Sequence, residues 1–222
     1  MGGEAEAQAL YGQMLLDGVE VARNERAALG WFTRAAAQQH LMALNMVGRC
    51  YDLGWGTVVD KGRAADCYRV AAGRGLDWAM YNYATLLTLG EGVAEDKPAA
   101  LALFEQVARG QGLAAAKVAN YVGSFAEDGW AGPVDMTRAA YWYRRAADGD
   151  DFRGCFNHAR LLAQAGRLDE ALRWLERAGA LGNQRFVGQV ERWLATSGEP
   201  RLMSEGLAAV RQGQRMTRAG QC

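Results

Sequence analysis

The stretch Ala84-Thr-Leu-Leu-Thr-Leu-Gly90-Glu-Gly92-Val-Ala-Glu-Asp96-Lys-Pro-Ala-Ala100-Leu-Ala-Leu103-Phe104 decides the fold. One apolar run ends at a pair of glycines, and a second begins behind an aspartate. Glycine takes the left-handed conformation that closes a helix, and an aspartate side chain caps the N-terminus of the next. In the second run Leu101, Phe104, Val107 and Ala108 recur three and four residues apart. That is the stripe of an amphipathic helix, not the alternation of a strand. The stretch reads as helix, glycine turn, capped helix.

The same text recurs on both sides. Gly12 to Trp31, Gly48 to Cys67, Ala84 to Leu103 and Gly123 to Trp142 are each 19 residues. The first three small anchors are 36 apart, and the fourth follows after 39. Ala28, Ala64, Ala100 and Ala139 stand three residues before the bulky position, and Phe32, Tyr68, Phe104 and Tyr143 one after it. Seven before it stand Asn24, Asp60, Asp96 and Asp135, all N-cap types. Small residues let paired helices approach closely, and the aromatic fills the gap toward the neighbouring hairpin.

Composition agrees. Alanine is the commonest residue, isoleucine is absent, and prolines number 3; strands would favour β-branched residues. The 222 residues carry 25 basic and 25 acidic side chains, so no bulk charge draws the chain to nucleic acid or anionic lipid. No segment approaches the roughly 20 apolar residues of a membrane span. The start, Met1 to Gln13, lacks the features of a secretory signal. The expected location is the cytoplasm, or the periplasm if a leader is processed off.

The stretches Gly90–Asp96 and Ala139-Ala-Tyr-Trp-Tyr-Arg-Arg-Ala-Ala147 resemble the Sel1-like repeat, a relative of the tetratricopeptide repeat. The resemblance covers about residues 5 to 150. It implies an all-α fold, a right-handed α/α superhelix of about five helix-turn-helix repeats with first helices on the concave face. It also implies a scaffold or adaptor role in protein complexes. The expected repeats span 5–40, 41–76, 77–112, 113–150 and 152–182, with a capping helix over 184–196, in one domain over 1–196. The fifth repeat is shorter: Ala159 to Trp174 is 15 residues, and its turn resembles a plain tetratricopeptide repeat. Residues 197–222 read as a weakly helical or mobile tail.

A search for chemistry finds no HExxH, GxxxxGK[ST], GxSxG or CxxC. His40 and His158 read as packed or surface residues at a helix junction and a core position, and Asp148, Asp150 and Asp151 as turn residues. Cys50 and Cys67 lie in the paired helices of one repeat, as buried thiols or as a disulfide. No catalytic group, metal site or cofactor is expected, and no small-molecule substrate.

The groove should come from first-helix positions not used in packing. These bring Arg49, Trp78, Tyr81, Arg153 and Arg160 to the inner face, types that dominate binding hot spots. Asn45, Asn82, Asn120 and Asn157 occur once per repeat, with Asn45 and Asn120 displaced by one position from the other two. Two roles fit them: holding the backbone of an extended segment, or bridging neighbouring helices. The sequence points to a non-enzymatic module that grips a protein segment. The alternative is an envelope factor that binds peptidoglycan or regulates an envelope enzyme.

Overall fold

The computed structural model describes residues 2–219, which form twelve α-helices and no strand. They are α1 (Gly2–Asp17), α2 (Glu25–Ala37), α3 (Leu41–Leu53), α4 (Lys61–Gly73), α5 (Asp77–Leu89), α6 (Lys97–Arg109), α7 (Ala115–Asp128), α8 (Met136–Asp148), α9 (Phe152–Gln164), α10 (Leu168–Leu181), α11 (Gln184–Ala195) and α12 (Pro200–Ala219).

Local chemistry sets these boundaries. Asn24, Asp60, Asp96 and Asp135 each accept the backbone N–H three residues on, at 2.9–3.0 Å. Gly54, Gly90 and Gly129 close α3, α5 and α7 with φ of 76°, 66° and 67°. His40 adds a cap that its residue type does not advertise. Its Nδ1 accepts the Ala43 N–H at 3.0 Å, while Nε2 meets Glu6 at 2.7 Å.

The chain divides into two compact units, Met1–Phe104 and Glu105–Cys222. In the first unit, Leu15, Leu16, Phe32, Met46, Val47 and Cys50 pack together, and Leu86 lies against Ala64, Ala65 and Tyr68. The anchor Gly48 is needed because the Tyr68 ring lies across it, 2.6 Å from where a Cβ would sit. In the second unit Gly123 has the same relation to Tyr143, also at 2.6 Å. Its larger core joins Cys155, Ala159 and Leu162 of α9 to Ala171, Leu175 and Ala178 of α10.

The C-terminal segment differs from the expected tail. Residues 200–219 form a 20-residue helix, α12, with Leu202 and Val210 buried. Gly179 of α10 lies against the Val210 backbone, and Gly213 of α12 against Glu176, so the two helices approach backbone to backbone. The physical reason is the small-residue stripe Gly206 and Gly213, which lets a short apolar set pack deeply enough to order an arginine-rich helix. Phe186 and Trp193 of α11 pack edge-on against Phe152 and Phe156 of α9. Thus α11 packs on the first helix α9, whereas α12 packs chiefly on the second helix α10 and touches α11 only lightly, unlike the paired helices of a repeat. Residues 220–222, and with them Cys222, lie outside the described residues.

Candidate functional site

The first helices α3 and α5, in one unit, and α7 and α9, in the other, carry the residues singled out above. Asn82 Nδ2 donates to Asn45 Oδ1 at 2.9 Å, and Asn157 Nδ2 donates to Asn120 Oδ1, also at 2.9 Å. Asn45 and Asn120 are buried at 3% and 7% exposure, whereas Asn82 and Asn157 are half-buried. The one-position displacement has a geometric meaning. The acceptor is three residues before its anchor and the donor two before the next, and that offset lets the amides meet across adjacent helices. Bridging neighbouring helices is what these asparagines do within the chain.

A second network repeats beside each bridge. Tyr68 Oη donates to Asp52 at 3.2 Å, and Tyr143 Oη donates to Glu127 at 2.7 Å. Lys61 Nζ reaches Asp52 at 2.5 Å and Glu91 at 2.9 Å, and those two hydrogen bonds raise its pKa. In the second unit Arg160 of α9 meets Glu127 at 2.6 Å. Burial pushes the Glu127 carboxyl up, but the hydrogen bonds from Arg160 and Tyr143 outweigh it and hold the group below the ordinary carboxylate value. Burial, then the adjacent carboxylate, raises both tyrosine hydroxyls, so each stays a neutral donor.

Lys61, at the start of α4, and Glu91, in the turn after α5, lie outside the first-helix positions expected to form the groove. One signal was available: acid and tyrosine stand 16 residues apart in Asp52–Tyr68 and Glu127–Tyr143, whereas the same spacing holds Leu16 and Phe32, and Thr88 and Phe104.

Of the other expected residues, Arg49 lies over the Trp55 ring at 4.7 Å and Arg153 over Phe152 at 4.5 Å. Trp78 and Tyr81 meet edge to face with centroids 6.2 Å apart. Trp78, Tyr81 and Asn82 share α5, and Arg153, Asn157 and Arg160 share α9. The structure therefore gathers these residues on the first helices of each unit, with Asn45 and Asn120 beneath the surface.

Among the described residues no group of three or more His, Cys, Asp or Glu could hold a metal, and no helix is long and apolar enough to cross a membrane. Cys50, Cys67 and Cys155 are unbridged. Burial pushes the Cys50 thiol up to about 11 and Cys155 up to about 12, which makes both poor nucleophiles. His158 is 8% exposed, its Nδ1 has no hydrogen-bond partner, and its ring meets Trp174 edge-on at 5.3 Å.

No curated protein matches the chain. Solved structures share its fold. A Sel1 repeat protein from Oxalobacter formigenes is 24% identical with a TM-score of 0.74, over 94% of this chain and 87% of that one. A protective antigen of uropathogenic Escherichia coli is 22% identical with a TM-score of 0.73, over 96% of this chain. This chain spans only 46% of that antigen. An immunity protein from Pseudomonas aeruginosa is 12% identical with a TM-score of 0.63, over 98% and 82% of the two chains. The Sel1 repeat family model matches residues 5–40, 41–76, 79–111, 114–151 and 168–183. Those segments hold the glycine turns, caps and anchors described above and make up well over half the sequence, so the chain belongs to the Sel1 repeat family, as an all-α solenoid.

Proposed function

We propose that this protein is a non-enzymatic scaffold or adaptor that holds an extended protein segment along its first helices. Sel1 repeats generally mediate protein interactions. The observation that carries the finer reading is the asparagine bridge, present once in each unit. Each bridge uses an amide N–H of Asn82 or Asn157, both half-buried residues, and does not use that side chain's own oxygen. Such an oxygen can accept a backbone N–H from a bound segment without reading its side chains. Asn45 and Asn120 act by orienting their partners. Trp78, Tyr81, Arg49 and Arg153 would supply the surrounding contact area. Arg160, fixed by Glu127, would offer an oriented guanidinium to a carboxylate.

The test is affinity purification with mass spectrometry, comparing wild type with Trp78→Ala/Arg153→Ala and with Asn82→Ala/Asn157→Ala. Circular dichroism monitors the fold. The expected result is retained helicity with loss of the same co-purifying proteins in both variants. Unchanged capture in both would remove these residues from the site.

A further inference from the structure

The repeat has a fixed rule for how one hairpin covers the next. Counted from the small anchor of the first helix, positions five before, two before and two after face the preceding hairpin. Two residues after the anchors, Cys50 packs with Leu15 and Leu16, Leu86 packs on Ala64, Ala65 and Tyr68, and Leu161 packs on Ala126, Ala139 and Tyr143. Five before, Ala43 packs on Ala5 and Ala35, and Gly154 lies against Ala146. Two before, Met46 joins the Leu15 cluster, and Asn82 and Asn157 make the bridges to the preceding first helix.

In α1 those positions, counted from Gly12, are Ala7, Leu10 and Met14. The stripe is apolar at helical spacing, as the rule requires, yet Ala7 is exposed, Met14 half-exposed and Leu10 61% exposed. Tyr11 beside it is 40% exposed. The helix therefore carries two apolar faces, one on its own core and one in solvent. Its charges are Glu4, Glu6 and Asp17, with no basic residue between positions 2 and 17.

The complementary surface is on α11 and α12. These helices carry six arginines against Glu191 and Glu205. On α11, Arg185 and Arg192 are exposed and flank the small residues Gly188 and Ala195; a Cβ at Gly188 would meet nothing closer than the Arg192 guanidinium at 3.7 Å. An apolar stripe of Ala7, Leu10 and Met14 on a helix whose charges are all carboxylates fits a small-residue face flanked by guanidinium groups in both shape and charge.

We propose that α1 of one molecule docks on the α11 face of a second copy, so that the protein associates head to tail. The contact is heterologous: each copy uses a different face, and each keeps one face of each kind for a further neighbour. Because its polar rim pairs carboxylates with arginines near solvent, salt weakens it. This inference does not depend on the proposed partner groove, which uses other positions of the first helices.

Sedimentation equilibrium of the full chain, at low and high salt over a range of concentrations, tests the proposal. The expected mass rises above 24.1 kDa with concentration at low salt and falls back at high salt. Leu10→Asp, at an exposed position, should keep its circular dichroism and lose association by about tenfold or more. Arg185→Glu/Arg192→Glu should do the same, and Glu4→Lys/Glu6→Lys should restore association when mixed with it. A wild-type chain that stays at 24.1 kDa throughout overturns the proposal. So does association abolished by Leu10→Asp but indifferent to the arginine reversal, which would indicate α1 pairing with itself.

Discussion

The two units solve the same problem with one shared device and one that differs. Each bridges adjacent first helices through an asparagine pair 37 residues apart. Each also sets a second-helix tyrosine against a first-helix carboxylate. The cation completing that carboxylate comes from different places. In the first unit it is Lys61, on the second helix of the same hairpin, with Glu91 of the next turn as its other partner. In the second it is Arg160, on the first helix of the next hairpin. The arginine version ties hairpin to hairpin at the first-helix face, whereas the lysine version ties a hairpin to itself and to a turn. A repeat sequence thus holds two layers: an apolar register common to every hairpin, and polar pairings that vary between them.

The sharpest way to separate the units is at their second helices. Gly73 of α4 has open space where a Cβ would stand, whereas Gly179 of α10 has the Val210 backbone. Gly179→Ala should cost about 3 kcal/mol by overpacking α10 against α12. Gly73→Ala should change stability by no more than about 0.5 kcal/mol. Urea unfolding of both variants measures the contrast; equal effects would mean that α12 adds nothing to the second unit.

The asparagine bridges should respond alike. Asn45→Ala and Asn120→Ala each leave a half-buried amide without its acceptor, at an expected cost of about 1–3 kcal/mol. A large difference between them would break the equivalence of the units. The apolar layer was fully legible in the sequence, because anchors, aromatics and caps recur at constant spacing and each follows from local chemistry. The bridges were only half legible. The four asparagines were visible, but their one-residue offset looked like imperfection in a repeat until helix-to-helix geometry turned it into donor and acceptor. The order of α12 was not legible, because four arginines interrupt its apolar residues and the glycines that seat it on α10 look like helix breakers.

The carboxylate locks should differ. Glu127→Gln removes an ion pair whose side chains are both about four-fifths covered, at roughly 1–2 kcal/mol. Asp52→Asn acts on a pair whose lysine is more exposed, and below about 1 kcal/mol is expected. Glu127 has its folded pKa lowered, so its contribution is present above the ordinary carboxylate value and is lost as pH falls through the folded one. Acid unfolding of Glu127→Gln should therefore be less steep than that of wild type.

His158 offers the finest test, because it stands where the equivalent core position of the first unit is Val47. The ring is enclosed between α8 and α10, with Arg144 and Asp148 of α8 and Arg167 and Glu170 at the start of α10 around it. Burial, then Arg144, lowers its folded pKa below the ordinary 6.5. The unfolded chain then binds the proton first, so stability falls as pH drops below that value, at no more than about 1.4 kcal/mol per pH unit for a single group. By pH 6 the loss should be under about 1 kcal/mol. His158→Val, which copies the first unit's solution, should remove that part of the pH dependence while keeping neutral-pH stability. If wild type and variant show the same slope between pH 7 and 5.5, the imidazole is not the group that titrates, and the two units share their acid response as well as their register.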